Sequence, residues 1–475
     1  MSFSLIIGSA GFLILILLIF WVFYNHLNLG FAFRQYELEQ IINERTEELV
    51  REKERTEALL ANLLPKNTAD ELMAKGKATK IKYNFVTVLF SDIQGFTKIA
   101  EEMNPEVLID ELDKFFFTFD SVVEKYGIEK IKTIGDAYMC AGGIPEKNRT
   151  NPVEVILAAL EMRTYMTRLK ESSELEGMKF WDIRIGIHTG TVVAGVVGQK
   201  KMSYDIWGDT VNTASRMESS GEAGKINISG TTYEFIKEFF SCEYRGKMPV
   251  KYKGELEMYF VKSINPDLCD ENGEPNRKFV IKVQMLKLED IEELIAVMFE
   301  TGAPQNLHFH NISLYKNICS QVDLLARAEN VGDEELINLK LAAIFLLTGY
   351  LTDYFRPMEA AGRLIDELVS KHGFNQENIE STKRMIRNSF QDIPETHEDK
   401  ILHDARYEYL GRVDYSTLTG NLRKEIAENG IVYDDLAWTT MQKELLQKHT
   451  FVTETARILR NVDVESQIDI LSSIP

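Results

Sequence analysis

The sequence predicts an α+β sandwich, one sheet with helices on a face, set between helical segments. Three observations carry this reading. Residues 81–264 alternate apolar strand-like runs with amphipathic helical stretches. Residues 36–64 hold helical sequence with neither Gly nor Pro, and residues 279–475 show helical periodicity almost throughout. At 475 residues and 54.4 kDa the chain is too long for one ordinary core. A hydrophobic share of 44% and a charged share of 27% exclude a largely disordered chain. Lys and Arg number 54 against 73 Asp and Glu, a net charge of −19 that argues against general nucleic-acid binding. Cys140, Cys242, Cys269 and Cys319 have no paired spacing, which fits neither a zinc knuckle nor a disulfide framework and suits a reducing compartment.

Residues 1–4 precede a 20-residue run, Leu5 to Tyr24, that carries no charge. A helix of that length spans about 30 Å, one hydrocarbon core, so 5–24 is expected to cross a membrane once. A signal peptide would want a basic start and a small-residue cleavage site, whereas Met1 to Ser4 has no Lys or Arg and Trp21 to Tyr24 is aromatic. The first basic side chain, Arg34, lies on the C-terminal side and favours a cell-membrane protein with a cytoplasmic C-terminus. Residues 25–78 read as a helical linker. Leu38, Ile42, Leu49, Leu59 and Leu63 fall on a heptad seam broken by Arg45, Glu52 and Thr56. That pattern makes a weak parallel coiled coil, with a solvated single helix as the alternative.

In the middle segment, 79–264, FVTVLFSD (85–92) is a buried strand and Pro105 to Tyr126 an amphipathic helix starting after Asn104. Residues 128–135 and 136–143 read as a hairpin turning at Gly135-Asp136. A helix over 152–170 is followed by two strands, 180–188 and 191–198, then a helix over about 210–217 and further short strands. Residues 265–278 are polar and contain Gly and Pro, a linker by composition.

Chemistry concentrates in that middle segment. Asp92 closes a hydrophobic strand and is followed by the loop IQGFT; Asp136 sits at the tight turn of KTIGDAYM. Carboxylates at a sheet edge take Mg²⁺, and free backbone N–H groups of a neighbouring loop take phosphate oxygens. YDIWGDTVNTASRM (204–217) places Asn212 and Arg216 four residues apart, on one helix face. An amide beside a guanidinium grips a ribose and a phosphate; a solvated helix face is the plain alternative.

Together the blocks FSDIQGFT, KTIGDAYM, HTGTVVAGVVG and YDIWGDTVNTASRM resemble, in order and spacing, the class III nucleotide cyclase catalytic domain. The resemblance implies a ferredoxin-like βαββαβ core acting as a head-to-tail homodimer with sites at the interface. It implies that Asp92, Asp136 and the backbone carbonyl of Ile93 bind two Mg²⁺ ions, with Mn²⁺ as a substitute. Asn212 would position the ribose, Arg216 would stabilise the phosphorus transition state, and Phe96, Thr97 and Lys251 would meet the substrate. The family's adenylyl members carry Lys before TIGD and Asp in YDIWG, here Lys132 and Asp205. Guanylyl members typically carry Glu and Cys or another small residue. Lys132 can donate to adenine N1 and Asp205 can accept from its N6 amine. The expectation is a membrane-anchored adenylate cyclase acting on ATP, with a guanylate cyclase and a catalytically silent nucleotide-binding homologue as rivals. A further membrane or regulatory partner is compatible with it.

The C-terminal segment, 279–475, resembles an HD-type phosphohydrolase domain through LKLAAIFLLTGYL (339–351) and ILHDARYEYLG (401–411). Leu346 and Leu347 stand where the family has its His-Asp pair, Leu314 and Met358 replace further histidines, and His310, His403 and Asp404 remain. Leucine cannot ligate a cation, so the resemblance implies a dead enzyme kept for regulation or dimer formation, against an unrelated helical bundle.

Overall fold

The computed structural model describes residues 2–61, 63–175, 181–198, 201–250, 254–391, 394–460 and 464–473. The chain divides into two compact units, residues up to Lys82 with Val193–Ile206, and Tyr83–Val192 with Trp207 onward.

The first unit is dominated by helix α1, Ser2–Ala61, which joins the apolar run and the heptad segment without a break. From Leu15 onward α1 carries a stretch long and apolar enough to cross a membrane, and Leu15 to Tyr24 are exposed on it. Along this helix Arg45, one of the polar interruptions of the seam, pairs with Glu48, and Arg51 beside the seam pairs with Glu47. Pro65 then stands at the N-cap of α2, Lys66–Lys75.

Strand β1, Ile81–Ile93, leads to a short α3, Phe96–Glu102, and to α4, Pro105–Lys125. Asn104 caps α4 by accepting from the Glu106 N–H, and Pro105 occupies the first turn, as the sequence implies. The helix buries Leu108, Phe119, Val122 and Val123. Strands β2, Glu129–Ile134, and β3, Ala137–Gly142, form the expected hairpin, and α5, Asn151–Leu175, buries Val155, Ile156, Ala159 and Met162. β4, Ile183–Val197, is one strand of 15 residues. The two strands read from the sequence, 180–188 and 191–198, are therefore continuous. Gly190 is no breaker there: a Cβ on it would lie 2.6 Å from Thr210 Oγ1, so glycine admits a neighbouring side chain instead of ending the strand.

β5, Ser203–Trp207, pairs with β4; α6, Asp209–Ser219, β6, Ile226–Ser229, α7, Gly230–Ile236, β7, Phe240–Val250, and β8, Gly254–Ile264, complete the domain. Strand order is β2-β3-β1-β4-β6-β8-β7. The first four strands give the βαββαβ order of a ferredoxin-like core, and a core of Leu89, Tyr138, Ile156, Met162, Ile185 and Ile228 joins sheet to helices.

Residues 265–278, which join the α+β domain to the C-terminal helices, are held by packing and hydrogen bonds. Leu268 is buried in the core of the α+β domain, the Asp270 carboxylate accepts from the N–H groups of Asn272 and Glu274, and Asn276 N–H donates to the Leu268 carbonyl. Polar composition here reflects a tight hydrogen-bonded turn. α8, Arg277–Gly302, then serves two cores: Phe279 packs into the α+β domain, and Leu288, Ile291, Ile295 and Phe299 pack into the C-terminal helices. These are α9, Ile312–Ala328, α10, Asp333–Phe345, α11, Pro357–Lys371, α12, Gln376–Asn388, α13, His397–Arg406, α14, Tyr415–Glu428, α15, Asp435–Lys448, α16, Glu454–Leu459, and α17, Val464–Ser473. Leu346 and Leu347 are buried core side chains, 2% and 3% exposed.

Candidate active site

The antiparallel register of β1 and β3 pairs Phe90 with Met139 and Ser91 with Tyr138. One residue further along, Asp92 lies beside the β2–β3 turn that carries Asp136. Ile93, buried, joins them: its backbone N–H donates to the Asp136 carboxylate. Burial and the facing Asp92 charge hold the Asp136 carboxyl above the usual carboxylate range. Two oxygen donors that repel each other across a short gap suit a hard divalent cation, which converts the repulsion into binding. Among the described residues no set of three His, Cys, Asp or Glu forms a ready metal cage. Asp92, Asp136 and the Ile93 carbonyl would thus leave room for water or substrate phosphate oxygens in the coordination sphere.

Two residues that the sequence reading missed stand next to this pair. Arg184 of β4 places Nη2 3.2 Å from Asp92 Oδ1 and 2.9 Å from Glu218 Oε1. The Glu218 contact is an ion pair without hydrogen-bond alignment, so Glu218 Oε1 and Arg184 Nε are buried with no hydrogen-bond partner among the described residues. Burial first, then Asp92 and Asp136, push the Glu218 carboxyl up to about 7, against the pull of Arg184. One signal for Arg184 was available. A guanidinium in the apolar run IRIGIH, where it is half-buried, needs a carboxylate partner.

Asn212 and Arg216 are exposed on one face of α6, and neither has an ion pair among the described residues. Lys132 is half-buried on β2, where a bulge shifts the register between Lys130 and Lys132. Asp205 lies on β5, in the unit that contains α1, with its Oδ1 accepting from the Ile206 N–H. Phe96 is half-buried and packs against the domain core, while Thr97 is exposed. Lys251 lies outside the described residues.

Residues 78–263 match the family described as the adenylate and guanylate cyclase catalytic domain. The chain is 37% identical over 257 residues to mouse atrial natriuretic peptide receptor 2, covering 52% of this chain and 23% of that protein. To the receptor-type guanylate cyclase gcy-28 of Caenorhabditis elegans it is 37% identical over 244 residues, covering 49% and 19%. Among solved structures, the adenylyl cyclase CyaB from P. aeruginosa is 34% identical, covering 40% of this chain and all of that one, with a TM-score of 0.38. The chain thus spans about a fifth to a quarter of the curated relatives' lengths. Residues 78–263 belong to the class III adenylyl/guanylyl cyclase catalytic domain family. The relatives' names favour the guanylyl rival over the adenylyl expectation.

Proposed function

We propose that the chain is a membrane-anchored, homodimeric nucleotide cyclase that converts ATP to 3′,5′-cyclic AMP and pyrophosphate. The observation that carries the cyclase reading is the juxtaposition of Asp92, Ile93 and Asp136 where β1 ends beside the β2–β3 turn. Divalent cations held there would lower the pKa of the ribose 3′-hydroxyl and offset charge on the departing pyrophosphate. The chain's own residues do the rest. Asn212 orients the ribose, so that the hydroxyl faces the α-phosphorus. Arg216 answers negative charge that grows only as the new P–O bond forms; removing such a donor costs roughly 10²–10³ in rate. Because Asn212 and Arg216 are exposed on α6, they are free to enter a partner's site, and a head-to-tail dimer supplies both halves twice. Helix α1, with its exposed apolar stretch, is the proposed anchor.

For the base, the named relatives support GTP, whereas the side chains support ATP. Identity of 37% supports the cyclase reaction; the purine edge would be read by a few groups, here Lys132 as donor and Asp205 as acceptor. Guanine presents a donor at N1 and an acceptor at O6, the opposite pattern. Pyrophosphate release by the full chain, with ATP and GTP in turn, tests this. A kcat/KM higher for ATP, moved toward GTP by Lys132→Glu with Asp205→Cys, supports the adenylyl reading. A higher value for GTP refutes it in favour of a guanylate cyclase, and no release from either refutes catalysis.

The helical C-terminal module is proposed to be a non-catalytic HD-like domain. Asp404 is fully buried and accepts hydrogen bonds from Val452 N–H, Thr453 N–H and Thr453 Oγ1, while His310 Nδ1 lies 2.5 Å from Glu425 Oε1. The ligand-type side chains are engaged in holding helices together.

A further inference from the structure

Two residues beyond Arg216, α6 carries Glu218, a carboxylate only 8% exposed. The backbone that carries it is fixed from several sides. Gly186 of β4 lies against its backbone, so close that a Cβ there would fall 1.8 Å from the Glu218 nitrogen. Asn227 Nδ2 donates to the Met217 carbonyl at 2.7 Å, and Arg245 Nη1 donates to the Ser220 carbonyl and to Asn227 Oδ1, both at 2.9 Å. The end of α6 is thereby fastened to β6 and β7. The Glu218 carboxylate therefore meets Arg184 from a backbone held in place by β4, β6 and β7.

An arginine facing a lone aspartate closes a short bidentate pair that occupies both carboxylate oxygens. Arg184 does not do this to Asp92. It makes a single contact with Asp92 at 3.2 Å and a shorter one, 2.9 Å, to Glu218 from the same nitrogen. Asp92 therefore keeps lone pairs for another ligand.

We propose that Glu218 is a positioning residue: it draws the Arg184 guanidinium off Asp92, so that Asp92 stays available to a divalent cation. This rests on the metal-dependent cyclase reading above. It predicts a defect in metal binding that appears before any nucleotide is added and that acts through Arg184.

The test is a titration of the detergent-solubilised full chain with Mn²⁺ alone, read by the electron paramagnetic resonance of free Mn²⁺. Glu218→Gln keeps size and removes the charge; it should weaken Mn²⁺ binding roughly tenfold or more. In an Arg184→Met background the same substitution should change affinity by less than about twofold, since the group it restrains is gone. Circular dichroism establishes that each variant is folded. Should Glu218→Gln not fold, Glu218→Asp, which retracts the charge by one methylene, is read in its place and should show a partial loss. Wild-type affinity in the Gln variant, or an equal loss in both backgrounds, overturns the proposal and leaves the metal site standing. Absence of Mn²⁺ binding by the wild type, or binding unaffected by Asp92→Ala, refutes the metal site itself, and the proposal falls with it.

Discussion

Substituting Gly186 by alanine probes how α6 is placed. The added methyl would lie 1.8 Å from Glu218 N, 2.3 Å from Glu218 Cα and 2.4 Å from the Met217 carbonyl carbon. Carbon contacts are comfortable only from about 3.5 Å, so strand and helix must separate by roughly 1.5 Å. All three atoms are backbone, and no rotamer change relieves the clash. Overpacking of this kind costs about 1–3 kcal/mol of stability. The displaced helix also carries Asn212 and Arg216, and a misplacement of about 1 Å at a reacting centre costs on the order of 10² in rate. The expected outcome is a folded Gly186→Ala protein with a lowered melting temperature and pyrophosphate release down roughly a hundredfold on the preferred nucleotide. Gly362→Ala is the control: it lies within α11 with nothing within 4 Å of a new Cβ. It should leave the rate alone and stabilise slightly, by about 0.5–1 kcal/mol. If Gly186→Ala turns over at the wild-type rate with an unchanged melt, α6 is not positioned by β4 and the geometric argument fails.

Asp92→Ala or Asp136→Ala should abolish turnover while leaving the protein folded, because each removes a half-buried carboxylate and no core side chain; measurable turnover at saturating Mg²⁺ would end the two-carboxylate assignment. Inactive Asp92→Ala and Arg216→Ala chains should recover activity when mixed, since one site of the heterodimer is intact; a confirmed heterodimer without activity would exclude shared sites. Arg149 faces Glu289, Asp290 and Glu293 of α8, with Nη2 2.5 Å from Glu293 Oε2, and Arg149→Ala should cost about 1 kcal/mol in low salt and less in molar salt, read by urea denaturation. Burial, then the neighbouring His403, depress the His449 imidazole to about 4 despite Asp404, while unfolded histidine titrates near 6.5. The unfolded chain thus takes up more protons between those values, so this group's share of stability is present near neutrality and is lost as pH falls from about 6.5 to about 4. Tyr407 and Phe451 complete its surroundings, and His449→Gln should flatten that part of the melting-temperature profile relative to wild type.

What the sequence made legible was local. Asp92 at the end of an apolar strand and Asp136 at a Gly-Asp turn are visible because alternation and turn chemistry act over a few residues. The cap at Asn104 and the shared face of Asn212 and Arg216 belong to the same class. Arg184 and Glu218 escaped because they meet Asp92 only after β4 and α6 have packed, from 92 residues away in the case of Arg184. The division of 180–198 into two strands does not hold, because Gly190 between them marks a close approach to Thr210 and not a break. The polar composition of residues 265–278 does not distinguish a hydrogen-bonded Asx turn from a flexible segment, and the structure has the turn.

That last difference changes how the C-terminal helices bear on the cyclase domain. A flexible joint would let the two parts move independently, but α8 is one continuous helix with an end in each core. Bending it near Lys287 would expose Phe279 and Val283 on one side or Leu288 and Ile291 on the other, and each buried side chain contributes about 1.5–3 kcal/mol. Arg149 adds a second attachment beside the first. The loop that holds it continues into Asn151, which accepts from Thr87 Oγ1 at 2.6 Å on β1, the strand that ends in Asp92. A displacement of the helical module therefore meets β1, the strand that carries Asp92, through packed side chains and short hydrogen bonds. The packing of the C-terminal helices fits that duty: Leu346 and Leu347 lie in one buried apolar core with Ile291 and Ile295 of α8, and a close-packed core transmits strain.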